Sequence, residues 1–197
     1  MRFNQHAAGS GLCERGAMVK TDRARLKLRI RAAVRGERGV SMLEFAFVAL
    51  PLFMFIFGIL EVGLIFWGTY ELDNATLSAA RTIRTGQAQA ANMSQTQMIA
   101  QICSLTSILS NCTNKLQLNV LSFSSFSAVT APTPLDGNKN LKTTFPYQPG
   151  GPSTINLVTS FFEWPLIGVS TLWPASSKLA DGNLLLQSSA VFKTEPY

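Results

Sequence analysis

Few residues of this 197-residue chain are of types that could do chemistry together. The single histidine is His6, so residues 40–197 hold no imidazole for a Ser-His-Asp or Cys-His arrangement. The carboxylates Asp136, Glu163, Asp181 and Glu195 are scattered along the chain, and nothing in their spacing pairs them. No glycine-rich loop carries the lysine that a phosphate cradle requires. Glu163 beside Trp164 is a pattern that can contact sugars, but an aromatic core pair is the simpler reading. The expectation is a chain that is not an enzyme and needs no cofactor and no metal. Two groups of residues remain. One is a pair of cysteines, Cys103 and Cys112. The other surrounds a long apolar run: Gly39, Val40, Glu44 and Phe45 at its start, Pro51 within it, and Glu61 towards its end.

The apolar run sets the context for both. Residues 45–60 carry no charge, and the run continues through Glu61 to Trp67. At about 1.5 Å per residue it measures about 35 Å, enough to cross a hydrocarbon core with some tilt. A soluble core helix is rarely apolar on every face. Arg29, Arg31, Arg35 and Arg38 precede the run, and the next basic residue is Arg81. The positive-inside bias therefore puts the N-terminus in the cytoplasm and the residues after about 70 outside, with Trp67 and Tyr70 at the outer interface. This divides the chain into a basic cytoplasmic leader over 1–39, a transmembrane helix over 40–70 and an exported domain over 71–197. The expected location is the inner membrane, single-pass, with the C-terminal domain periplasmic.

Charge follows the same division. The net charge is +6, yet residues 1–39 carry +7 and residues 40–197 carry −1. The basic excess is a topology signal, and a nucleic-acid partner has no support in it. A cleaved secretory signal is not expected either. The apolar stretch is too long, and the nearest small-x-small site, Ala88-Gln89-Ala90, lies far beyond it. Pro51 removes one helical hydrogen bond and is a candidate kink. Glu61 lies about 24 Å along the helix from Phe45, within about 6 Å of the outer edge of the core. Its carboxylate can snorkel outward or pair with a polar group on another helix.

The junction reads Arg35-Gly36-Glu37-Arg38-Gly39-Val40-Ser41-Met42-Leu43-Glu44-Phe45. Ser41-x-x-Glu44 has the form of a capping box that opens the membrane helix. The combination of a basic leader, Gly39, four residues, Glu44 and an aromatic residue before a membrane helix also resembles the type IV prepilin processing site. The stretch from Arg38 to Val48, then Pro51, Gly58-Ile59-Leu60-Glu61-Val62-Gly63, Leu72-x-Asn74-Ala75 and Ala79-Ala80-Arg81, resembles the TadE-like family. The closing Ser188-Ser189-Ala190-Val191-Phe192-x-x-Glu195-Pro196 is similar to it more loosely.

The resemblance implies a minor pilin or pseudopilin of the Tad (Flp) pilus. A prepilin peptidase would cut between Gly39 and Val40. Glu44, then fifth in the mature chain, would act in assembly with other pilins and the inner-membrane assembly platform, either at the inner membrane or within an extracellular pilus. Once the leader is removed, the Val40 amine of a neighbouring subunit is a natural partner for the Glu44 carboxylate. The other reading keeps Glu44 as a cap or peptidase recognition element. An uncleaved single-pass scaffold or binding protein of an envelope complex is the alternative for the whole chain. Met18 is an alternative start that gives a 22-residue leader without Cys13.

Beyond the membrane, Leu72, Ala75, Thr76, Ala79, Ala80 and Ile83 continue the helical period to about Thr85, and Gly86 reads as the stop. Ser94-x-x-Gln97 starts a second helix. On one unbroken helix Cys103 and Cys112 would lie about 13 Å apart, too far to bridge. The chain therefore turns within 104–111 or the thiols stay free. Export to an oxidising compartment favours the bridge, worth about 2–3 kcal/mol, over zinc. Leu116, Leu118 and Val120 alternate with Gln117 and Asn119 as a strand with one wet face. Residues 130–153 read as a long loop, 154–162 and 184–193 as two more strands, and Glu163–Ile167 as the start of an apolar connection. The fold class is α+β, pilin-like: a long N-terminal helix packed against a small antiparallel sheet.

Overall fold

The computed structural model describes residues 37–168 and 178–197. The basic leader up to residue 36, with Cys13, the alternative start Met18 and the topogenic Arg29, Arg31 and Arg35, lies outside the described residues, as does 169–177 of the connection. The chain divides into two compact units, Met1–Phe53 and Met54–Tyr197.

Helix α1, Glu37–Arg84, is 48 residues long and contains Pro51. The described part of the first unit is this helix alone. Its stretch from Ser41 is apolar and long enough to cross a membrane, with a mean hydropathy of 2.4 over its most apolar window and only 6% of that window buried. Among the described residues little covers these side chains, a surface that suits lipid or other apolar helices.

In the second unit α1 changes character. Leu72, Ala75, Thr76, Ala79, Ala80 and Ile83 are buried at three- and four-residue spacing. Small residues predominate in this strip, which lets the helix lie close against a sheet. Its interior threonines return their hydroxyls to the preceding turn, as Thr76 Oγ1 does to the Leu72 carbonyl at 2.7 Å. Gly86 takes a left-handed conformation, φ 77°, and ends the helix as expected. Short α2 (Gln87–Ala90) follows, then α3 (Gln95–Ser104). Ser94 and Gln97 form the reciprocal capping box that the sequence indicates. One turn, α4 (Cys112–Lys115), leads into β1 (Leu116–Phe123), and a 3-10 turn covers Phe126–Ala128.

Strands β1, β2 (Ile155–Trp164) and β3 (Leu184–Lys193) form an antiparallel meander in the order β1-β2-β3. The register places Leu118 opposite Ser160 and Ser160 opposite Ser188. One face, with Leu116, Leu118, Val120, Val158, Phe162 and Leu186, joins the α1 strip, Met98 and Ile102 in the core. Strand β2 runs antiparallel to α1. Trp164 lies against Gly68, and Ser160 accepts a hydrogen bond from Thr76 at 2.9 Å. Four strand residues and eight helix residues both measure about 12–13 Å, so the two contacts share one register. The chain's end completes the set. Glu195 N–H donates to the Arg84 carbonyl at 2.9 Å, and the Tyr197 ring covers Gly86.

The expected wet face of β1 is not wet. Asn119 and its cross-strand partner Thr159 are both wholly buried. The loop of residues 130–153 folds back over this face. Phe145 stacks on Phe161 with ring centroids 5.0 Å apart. Val120 N–H donates to the Pro146 carbonyl and Gln148 N–H to the Val120 carbonyl, so the loop also pairs with the β1 edge. Neither the Asn119 amide nor the Thr159 hydroxyl has a hydrogen-bond partner.

Gly86→Ala should lower stability by about 1–3 kcal/mol, because a Cβ there meets both the left-handed backbone penalty and the Tyr197 ring. Gly137→Ala, which adds its Cβ to open space, should be close to neutral. Thermal unfolding of the full-length protein in detergent compares the two.

Candidate functional site

The residues expected to form a processing site lie in the first turns of α1. Gly39 and Val40 are helical in backbone, and Glu44 and Phe45 are exposed on the next turn. Because the helix already includes Glu37, Ser41 is an interior residue and not an N-cap. The capping-box reading of Ser41-x-x-Glu44 is therefore corrected: the chain on the N-terminal side of Ser41, Glu37 to Val40, is already helical. Among the described residues Glu44 makes no hydrogen bond or ion pair. Pro51 sits inside the helix without ending it.

Glu61 has a partner that neither sequence alternative named. Its Oε1 accepts the backbone N–H of Ile167 at 2.7 Å. The donor belongs to the connection after β2, within the same chain, not to another helix. Two turns further on, Trp164 closes over Gly68 so tightly that a Cβ there would stand 2.6 Å from the ring. Trp164 also meets Phe162 edge-on at 6.5 Å, as an aromatic core pair does.

Glu71 is a functional carboxylate that the sequence reading passed over. It accepts the backbone N–H groups of Ser107 at 2.8 Å and Ile108 at 3.0 Å, and the Ser107 hydroxyl at 2.6 Å. Trp67 Nε1, one turn back, donates to it at 3.2 Å. The i, i+4 spacing of Trp67 and Glu71 was readable, but the loop that arrives from residues 107–108 was not. That loop is the turn enclosed by the cysteines. Cys103 and Cys112 are joined by a disulfide, Cα–Cα 5.6 Å, and the chain reverses between them through Asn111 at φ 55°. The covalent link and the Glu71 clamp together fix residues 104–111 to α1.

At the same end of the sheet, burial pushes the Glu163 carboxyl above its ordinary pKa; the nearby Asp181 adds to this, and Lys115 opposes it. Asp181 in turn accepts the Asn183 N–H at 3.0 Å. Among the described residues no three His, Cys, Asp or Glu side chains gather into a metal-binding group. Asp136 is held below its usual pKa by the Asn140 backbone N–H, within its own turn. Glu61 and Glu71 thus bind backbone N–H groups of distant segments, and Asp136 and Asp181 close their own turns.

The pattern that remains is a helix with an uncovered apolar lower part and a small-residue upper strip under a sheet. Residues 39–81 match the family model described as TadE-like protein. This segment is similar to the TadE-like family. The match begins at the glycine of the junction and ends within the core strip of α1, so it takes in Leu72, Asn74, Ala75, Ala79 and Ala80. The closing motif at 188–196 falls outside the matched range. Neither curated proteins nor solved structures gave a match.

Two outcomes follow. Glu71→Ala should free the disulfide loop, with faster amide exchange at Ser107 and Ile108 and a stability loss of about 1 kcal/mol, modest because the site is partly solvated. Glu163→Gln should be more stable than the parent at neutral pH. A raised carboxyl pKa means the folded state is penalised as pH rises through that value, whereas near pH 4 both folded and unfolded forms are largely protonated and the gap should close. Unfolding curves at both pH values check the sign.

Proposed function

We propose that the chain is a minor pilin or pseudopilin of the Tad pilus. In this reading a prepilin peptidase cuts between Gly39 and Val40, and the mature chain acts in pilus assembly from the inner membrane, its C-terminal domain periplasmic. The observation that carries it is the TadE-like match, which starts at Gly39 itself and runs up the helix. The apolar lower part of α1, exposed on nearly every face, supports it, since such a surface suits both a bilayer and a bundle of similar helices.

In this proposal the membrane-spanning part covers about residues 41–60, shorter than the 40–70 that hydropathy alone suggests. Ile65 and Leu72 already pack on the exported core. Twenty helical residues measure about 30 Å, the thickness of the hydrocarbon core. Glu44 then lies near the cytoplasmic edge, where a carboxylate is costly without a partner. Cleavage creates a cation at Val40, and the amine of a neighbouring subunit can pair with Glu44 and set the axial register between subunits. The partners are the peptidase, other Tad pilins and the assembly platform.

An uncleaved membrane anchor is the second reading. The helical backbone through Gly39 and Val40 favours it, because a protease must unwind that turn before it can cut. Glycine lowers the cost of unwinding.

Intact mass of the membrane-embedded protein separates the two. The expected result is a mature N-terminus at Val40, lost in Gly39→Ala; an intact leader in cells with active peptidase rules the first reading out. Glu44→Ala should still be cleaved but should assemble poorly, and normal piliation would remove the docking role.

A further inference from the structure

The segment Trp164-Pro165-Leu166-Ile167-Gly168 is uncharged and leaves the sheet beside the lower end of the exported domain. Ile167 is 73% exposed, an unusual state for an isoleucine on a domain with a packed core. Its backbone N–H is held by Glu61. Glu61 belongs to the membrane helix, within about 6 Å of the outer edge of the hydrocarbon core when Phe45 marks the inner edge. A hydrogen bond of 2.7 Å puts Ile167 at nearly the same depth as Glu61.

We propose that residues 164–168 are a membrane-contact tip, by which the exported domain rests on the outer leaflet. The occupant of this surface is the boundary between lipid headgroups and acyl chains. Three observations converge on it. The exposed apolar side chain of Ile167 continues the exposed apolar surface of α1, where Ile59 and Leu60 are also uncovered. The backbone is adapted to a poorly hydrated place: Pro165 has no N–H to satisfy, and the N–H of Ile167 is given to a carboxylate. That carboxylate in turn finds at the membrane edge the donor it needs. Glu61 is thus a positioning residue that holds the tip at a fixed depth. The proposal goes beyond the pilin reading and does not depend on cleavage.

The test uses the full chain with Cys13→Ser, one copy per lipid nanodisc, so that no second subunit can cover the tip. A polarity-sensitive thiol probe is placed at Ile167→Cys, at Phe57→Cys within the span, and at the exposed Ser124→Cys beyond the far end of the sheet. Lipids spin-labelled at the headgroup or shallow on the acyl chain should quench the probe at 167, and aqueous iodide should reach it poorly. The probe at 57 should respond to deeper spin labels and the probe at 124 only to iodide. If the 167 probe behaves like the 124 probe while the 57 probe reports insertion, the tip proposal is overturned and the membrane span stands. If the 57 probe reports no insertion, both fall. Glu61→Ala should lose lipid quenching at 167, and Glu61→Gln, which keeps an acceptor oxygen, should retain it. Unchanged quenching in Glu61→Ala overturns the positioning role.

Discussion

One helix carries two kinds of surface, and the rest of the molecule is arranged around the change from one to the other. From Phe45 to Leu60, α1 is uncharged on all faces. Above Glu61 one strip is buried, and the small residues that predominate in it bring the sheet close. A helix transmits register along its length, so each contact on the strip constrains the next. Trp164 at Gly68 and Ser160 at Thr76 are two points on the antiparallel alignment of β2 and α1, and Glu195, beyond the end of β3, meets Arg84 at the top of the helix. The sheet therefore stands at a defined height along the upper part of α1, and the height of its lowest segment follows from that alignment.

A three-stranded sheet and one helix strip bury a modest core, and small cores need staples. The disulfide between Cys103 and Cys112 supplies one, and Glu71 supplies another by binding two consecutive backbone N–H groups of the loop that the disulfide closes. The C-terminal tail supplies a third: Thr194 Oγ1 donates to the Gly151 carbonyl and Glu195 N–H to the end of α1. Each staple joins sequence-distant segments to the helix or to a segment already bound to it.

The elements were legible where their signals are local. The apolar run, the stop at Gly86, the capping box at Ser94 and the strand alternation all act within a few residues, and each marks the element observed. The same capping pattern at Ser41 misleads because a cap needs the chain before it to leave the helix. Asn92 and Met93 do leave it, in a turn, whereas Gly39 and Val40 continue it. The burial of Asn119 was not legible, since alternation reports the pattern of one strand and not whether a loop thirty residues on will return to cover it. For the same reason the roles of Glu61 and Glu71 stayed open: a carboxylate's partner is set by tertiary approach, and backbone donors leave no mark in side-chain sequence.

The two carboxylates at the ends of the apolar run now differ in kind. Glu61 is engaged within its own chain, so its charge is committed to holding the exported segment against the helix. Glu44 has no hydrogen bond or ion pair among the described residues, and Phe45, Phe47 and Val48 beside it are exposed apolar residues. A charge beside a hydrocarbon core is costly until something opposite meets it. For Glu61 that group is an amide N–H of the fold itself; for Glu44 the described fold provides none. In the pilin reading that partner is a cation on another chain, and such a pair gains strength in a packed, drier bundle of helices, where the same two charges interact more strongly. On that reading a carboxylate left open at this position serves assembly rather than the stability of the single chain.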